Sequence, residues 1–189
     1  MTNPRYSYGG GKIICELLTL NYGRRLFDRV VIFRPHNCYG PDMGEEHVIP
    51  QLVRRLNERI ALHESAQAGG VITLPIQGTG EETRAFVYVD DLVDAVLRLI
   101  EKGEHLGIYH VGTDIEVTIK DLVQTLGRLL GRQVEIETGP LQPGGTLRRC
   151  PDIGKLRALG YSPCVPLDDG LRRTARWYGE HPKRTMPAE

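Results

Sequence analysis

Apolar positions along the chain follow two rhythms, one helical and one extended. Over residues 7–22, Ile13, Ile14, Leu17, Leu18 and Leu20 fall at helical spacing and predict a helix with an apolar face. Val30, Val31, Ile32 and Phe33 form a short continuous apolar run, the pattern of a parallel strand covered on both faces. Residues 48–63 return to helical spacing, with Ile49, Leu52, Val53, Leu56 and Ile60 on one stripe. Ile72, Leu74 and Ile76 alternate like a half-buried strand. Residues 85–89 predict another strand running straight into a helix at 90–102, with Asp90 as N-cap, Asp91 beside it and Gly103 just past the end. Residues 108–111 read as a buried strand. Thr118 with Asp121 forms a capping box for a helix whose apolar face is Ile119, Leu122, Val123, Leu126, Leu129 and Leu130. A strand at 134–136, a helix at 167–178 and a flexible tail at 182–189 complete the map.

Strands alternating with helices predict an α/β fold with parallel pairing. Only the strands near 30–34 and 107–111 have the buried parallel pattern, and two strands are too few for a complete doubly wound sheet. Composition leaves this picture unchanged: 40% apolar and 25% charged residues are ordinary for a soluble globular chain of 189 residues. Lys plus Arg and Asp plus Glu number 24 each, so no net field draws nucleic acid or an anionic membrane. An anionic ligand must be met by locally placed arginines. Cys15, Cys38, Cys150 and Cys164 have neither CxxC spacing nor histidines at zinc-site spacing, which predicts reduced thiols and no metal. The absence of a membrane-length apolar run and of a signal-peptide pattern gives a cytoplasmic expectation.

The sharpest chemical pattern is Tyr8-Gly9-Gly10-Gly11-Lys12 at the start of the first helix. Residues four apart share a helix face, so the Lys12 ammonium can sit beside the Tyr8 phenol. A cation that close favours the phenolate and makes tyrosine a usable general acid/base. Each glycine in a helix costs about 1 kcal/mol relative to alanine, so three in a row suggest that something flat must approach the backbone. Further blocks follow in order: Arg34-Pro35-His36-Asn37-Cys38-Tyr39-Gly40-Pro41, Val48-Ile49-Pro50, Ile76-Gln77-Gly78-Thr79-Gly80, Thr83-Arg84-Ala85-Phe86-Val87-Tyr88-Val89-Asp90-Asp91, Tyr109-His110-Val111-Gly112, Arg149-Cys150-Pro151-Asp152 and Leu159-Gly160-Tyr161-Ser162-Pro163.

In this order the blocks resemble the extended short-chain dehydrogenase/reductase superfamily, in particular the NAD-dependent epimerase/dehydratase family that modifies sugar nucleotides. The resemblance runs from about residue 4 to about residue 180. It implies the C-terminal part of a Rossmann-like doubly wound domain, residues 1–40 and 85–111, with a small mixed α/β substrate-binding lobe, residues 41–84 and 112–181. It further implies Tyr8 as acid/base and Lys12 as its partner on the nicotinamide ribose. Pro35 and His36 would lie along the nicotinamide, Asn37 against the sugar nucleotide, the backbone at Val48 and Ile49 along the base, and Arg84 on the diphosphate. The implied cofactor is NAD or NADP, and the implied ligand is a UDP-, GDP-, dTDP- or CDP-linked sugar. Members often dimerise through the YxxxK helix, here 7–22.

Alternatives stand beside these roles. Asn37 can be a turn residue, and Arg84 can pair with Glu81 or Glu82 on the surface. Asp90 and Asp91 read better as helix caps than as a catalytic pair, and Gly78-Thr79-Gly80 precedes a strand, so it is not a dinucleotide loop. The family's usual Arg-Pro-Gly-Asp block is replaced here by Gln142-Pro143-Gly144-Gly145, leaving Arg148 or Arg149 to meet the phosphate. Only seven residues precede Tyr8, so the family's glycine-rich cofactor loop is not expected within this chain, and alone it is expected neither to turn over substrate nor to bind NAD tightly. Three readings follow: an NAD-dependent epimerase or dehydratase acting through a keto-sugar intermediate, a decarboxylase of the same family, or an inactive remnant that binds a sugar nucleotide or a partner subunit.

Overall fold

A computed structural model describes residues 4–65, 70–141 and 145–181. The predicted tail at 182–189 and positions 142–144 of the Gln142–Gly145 departure lie outside the described residues.

The predicted first helix runs over Pro4–Leu26 (α1), and the first strand over Val31–Pro35 (β1). β1 pairs in parallel with β6, Gly107–Val111, Val31 opposite Gly107 and Pro35 opposite Val111. Helices Val89–Lys102 (α3) and Gly154–Arg157 (α5) contribute Ala95, Leu99 and Leu156 to a cluster with Tyr109, Val111, Ile153 and Tyr161. The expectation of a strand covered on both faces fails here, because Phe33 is 43% exposed and Arg34 and Pro35 are exposed as well. The apolar stripe of α1 is likewise uncovered: Ile13, Ile14, Leu17 and Leu18 are 50–62% exposed. An apolar run records which residues tolerate burial; it does not supply the layer that buries them.

A larger core lies under α2 (Val48–Ser65), α4 (Ile119–Leu129) and α6 (Leu167–Glu180), where Leu56, Leu122, Leu126 and Leu171 are fully buried with Tyr39. The stripe predicted for 48–63 is the side of α2 that enters it, through Ile49, Leu52, Val53 and Leu56. Three more parallel pairings close the topology. β2 (Cys38–Tyr39) pairs with β5 (Val87–Tyr88), and β3 (Ile72–Pro75) with β8 (Val134–Glu137). β4 (Thr83–Ala85) pairs in parallel with β9 (Arg148–Arg149) and antiparallel with β7 (Glu116–Thr118).

Two predictions are corrected. The single strand expected over 85–89 divides at Phe86 into β4 and β5, which belong to different sheets. Tyr88, not Asp90, occupies the N-cap of α3, without a side-chain cap. The Asp91 carboxylate instead turns away to a neighbouring segment, accepting from the backbone N–H groups of Cys164 at 2.8 Å and Val165 at 3.0 Å. A buried carboxylate requires such donors, and this loop supplies them; Asp90 faces Arg173. Thr118 caps α4 as predicted, accepting from Asp121 N at 2.9 Å. The four cysteines are free thiols, and no described helix is long and apolar enough to cross a membrane.

The two kinds of apolar stripe differ in what they contribute. Leu56→Ala should lower stability by about 2–5 kcal/mol through cavity formation, whereas Leu18→Ala should change it by less than about 0.5 kcal/mol. Urea denaturation of both variants checks the contrast.

Candidate functional site

Where β1 ends, the chain turns through His36 and Asn37. Asn37 has φ of 40°, in the left-handed region that asparagine tolerates better than most residues. Its Nδ2 donates to the Ala85 carbonyl at 2.9 Å, and its own carbonyl accepts from Val87 N at 3.3 Å. The turn is thereby fastened to the junction of β4 and β5. It forms one wall of a cleft of about 590 Å³. Val48, Gln51 and Arg55 enter the cleft from α2, Gln77 from the loop after β3, Arg84 from β4 and Arg149 from β9.

Two arginines set the electrostatics. Arg84 does not pair with Glu81 or Glu82. Its guanidinium donates to the carbonyls of Thr83 at 2.7 Å, Thr146 at 2.6 Å and Leu147 at 3.3 Å. Arg149 reaches Thr146 Oγ1 at 3.5 Å. Neither forms an ion pair with a carboxylate among the described residues, although other surface arginines do. Burial, and next the neighbouring Arg149 charge, hold the Arg84 pKa below its ordinary value. Two cations in one cleft, Arg84 held by carbonyl oxygens and Arg149 by a hydroxyl, and repelling each other, form a place where an anion lowers the energy. Arg55 also lines this cleft and donates to the Pro75 carbonyl. Arg148 is turned away on Glu116, at 2.6 Å, which leaves Arg149 as the arginine of that pair in the cleft.

The wall containing Gln77 is stiffened by Glu82, only 5% exposed. Its carboxylate accepts from Thr79 N at 3.1 Å and Gly80 N at 2.9 Å, closing the Gly78-Thr79-Gly80 turn. Burial raises the Glu82 pKa, but these N–H groups outweigh burial and leave it below the usual 4.5.

The remaining candidates lie elsewhere. Tyr8 and Lys12 share a face of α1, with Lys12 Nζ 5.4 Å from the Tyr8 ring centroid, but neither lines the cleft, and Tyr8 is 73% exposed. A Cβ built at Gly9, Gly10 or Gly11 meets nothing within 4 Å, so this part of the helix is a bare backbone surface. Pro35 and His36 sit at the carboxyl end of β1, and Ile49 is buried in the core beside Val48. Arg55 and Gln51 fall in none of the sequence motifs, and Gln77 and His110 lie within motif blocks that give them no role of their own. Positions 48, 51 and 55 recur at helical spacing, and that spacing was the available signal for Gln51 and Arg55.

A family model described as the NAD dependent epimerase/dehydratase family matches residues 1–112. The chain belongs to this family. Probable GDP-L-fucose synthase 1 of Oryza sativa subsp. japonica is 34% identical over 186 residues, covering 95% of this chain and 53% of that protein. The dTDP-D-glucose 4,6-dehydratase of Bos taurus is 31% identical over 189 residues, covering 95% of this chain and 48% of that protein. Among solved structures, dTDP-glucose 4,6-dehydratase from Streptomyces venezuelae with NAD bound is 34% identical with a TM-score of 0.70, covering 88% of this chain and 48% of that one. UDP-glucose 4-epimerase from Thermotoga maritima with UDP-glucose is 28% identical with a TM-score of 0.77, covering 92% and 53%. The chain therefore spans about half the length of the curated relatives it matches. Its fold is α/β, the C-terminal part of a Rossmann-like doubly wound domain with a small mixed α/β lobe.

Because the folded pKa of Glu82 lies below the unfolded one, the unfolded chain takes up the proton first on acidification. The stability contributed by Glu82 is complete above pH 4.5 and is lost as pH falls through the folded value. Denaturation of the native chain and of Glu82→Gln between about pH 7 and about pH 3 should show a stability gap that is largest at neutral pH and closes in acid.

Proposed function

We propose that this chain supplies the sugar-nucleotide cleft and the acid/base pair of an NAD-dependent epimerase or dehydratase. The observation that carries the reading is the pair of arginines, Arg84 and Arg149, without carboxylate partners in one cleft. The diphosphate of a UDP-, GDP-, dTDP- or CDP-linked sugar matches that pair in charge, and a guanidinium fork binds phosphate oxygens in a bidentate way. Asn37 offers its side-chain oxygen, its amide nitrogen being engaged with Ala85. The backbone at Val48 and Ile49 borders the base. We assign residues 41–84 and 112–181 to the substrate lobe and residues 1–40 and 85–111 to the Rossmann-like remnant. The two separate buried clusters follow this division only in part: Ile153, Leu156 and Tyr161 pack on the remnant, and Tyr39, Phe86 and Tyr88 pack in the lobe's core.

The helix turn bearing Tyr8 and Lys12 would accommodate a flat cofactor ring, because the three glycines between them carry no side chains and a Cβ at any of them meets nothing within 4 Å. NAD, when bound, would accept hydride from a sugar carbon and return it. Tyr8 would take the proton from the sugar hydroxyl at its phenolic oxygen and later give it back, while Lys12 would hold the ribose. Pro35 and His36 border the nicotinamide from the end of β1. The exposed Ile14 and Leu18 would serve as the contact between two copies through α1, in a cytoplasmic enzyme.

The relatives named above act on GDP-, dTDP- and UDP-linked sugars according to their names, so calorimetric titration with GDP-fucose, dTDP-glucose and UDP-glucose is the direct test. One of the three should bind, and NAD alone should not bind measurably, since no described segment forms a glycine turn at a strand-to-helix junction of the dinucleotide type. Arg149→Ala and Arg84→Ala should each weaken the nucleotide by roughly 10- to 100-fold, as expected for a lost charge-assisted contact. Failure of all three nucleotides, or arginine variants that bind as the native chain does, would remove the cleft from the proposal.

A further inference from the structure

The carboxyl ends of β1 and β6 hold a connected series of polar groups outside the cleft. Arg34 and His110 are partners in the strand register. Arg34 donates from Nε at 2.8 Å and Nη2 at 2.6 Å to the two carboxylate oxygens of Glu16 on α1. His110 Nδ1 lies 2.7 Å from His36 Nε2, with ring centroids 4.9 Å apart and planes tilted by 45°. At that separation one nitrogen bears the hydrogen and the other offers a lone pair. His36 is also fixed by its backbone, since His36 N donates to the Val111 carbonyl at 2.9 Å. Gly112 packs so closely that a Cβ there would lie 3.3 Å from His36 Cβ and 3.2 Å from Pro151 Cγ. The next residue is Asn37, left-handed and facing the cleft.

The geometry points to His110 as a positioning residue: through its hydrogen bond to His36 it holds the turn that presents Asn37 to the cleft, and a second proton on the pair releases that turn. Two neutral rings, or one neutral and one charged, can keep N–H facing a lone pair. Two charged rings set N–H against N–H. The groups bearing on His36 are His110 from β6, Arg149 from β9 and Arg34 from β1, whose charge is offset by Glu16 of α1. Burial first, and then His110, Arg149 and Arg34, hold His36 below the ordinary imidazole value of 6.5. A proton on His36 is therefore disfavoured near neutral pH, and acidification is what drives a second proton onto the pair. For its binding readout the inference rests on the sugar-nucleotide reading of the cleft.

The test uses the whole chain and two variants. His110→Asn places an amide near the Nδ1 position and does not titrate. His110→Phe keeps a ring and removes the hydrogen bond. Imidazole nitrogen spectra, the Asn37 backbone amide signal and the affinities for GDP-fucose, dTDP-glucose and UDP-glucose are followed from about pH 8 to about pH 5. In the native chain the two rings should show complementary tautomers near neutral pH, with affinity falling on acidification. His110→Phe should shift the Asn37 amide and weaken the bound nucleotide by roughly 5- to 20-fold at neutral pH, the range of a lost hydrogen bond. His110→Asn should restore affinity to within about 2-fold and abolish the acid loss. Rings that titrate independently, an unmoved Asn37 amide in His110→Phe, or the native acid loss persisting in His110→Asn would overturn the inference. If His110→Phe does not fold, native tautomers and the His110→Asn pH profile decide the matter. If none of the three nucleotides binds the native chain, the cleft reading fails, while tautomers and the Asn37 amide still judge the pair.

Discussion

Five residues of β1 lie in parallel register against five of β6, and both strands release their chains at the same end. Parallel pairing makes this unavoidable, and in open α/β sheets ligands gather at that carboxyl edge. From it follow the turn at His36 and Asn37, the meeting of His36 with His110, and the placing of Arg34 where it can hold α1 through Glu16. The crossing from β4 to β5 at Phe86 receives the turn, because Ala85 and Val87 bond to Asn37 from opposite sides of that break.

Charge is arranged locally on a chain with no net charge. Arginines on its surface mostly face acids: Arg128 faces Asp168, Arg148 faces Glu116, Arg157 faces Asp114 and Arg176 faces Glu180. Exposed pairs of this kind contribute little to stability. Arg84 and Arg149 differ in being supported by carbonyl and hydroxyl oxygens, which fix a guanidinium in place without neutralising it. Glu82 lines the same cleft, and its oxygens are occupied by Thr79 and Gly80.

Periodicity carried most of the fold. The stripes of α2 and α4 and the Thr118 cap were readable because each depends on residues within a few positions of one another. Asp91 was misread for the opposite reason, since its partners lie more than seventy residues away in the 164–165 loop. The division of 85–89 into two strands depends on which sheets receive them, again a long-range matter. Within the cleft, Asn37, Val48, Arg84 and Arg149 follow from motif order, whereas the part of Glu82 in closing the turn beside Gln77 depends on backbone N–H groups that no motif marks. The block Tyr109-His110-Val111-Gly112 marked His110 without giving it a role, because its partner His36 is brought to it by the pairing of β1 with β6. The burial of α1 and β1 was over-read, since an apolar face specifies a need for cover and not its source.

Seen as a mechanical part, α1 is a beam clamped near its middle. Gly23 rests on Val30 and Leu106, Glu16 is tied to Arg34, and Tyr8 stands eight residues beyond that tie. At a rise of 1.5 Å per residue the free arm is about 12 Å long. A tilt of about 10° at the clamp would move the phenol by about 2 Å, more than the roughly 1 Å misplacement that can cost a hundredfold in rate. The three glycines leave this arm without side chains between Tyr8 and Lys12. On the proposed reading, whatever occupies that surface would also act as the brace that fixes the phenol in position.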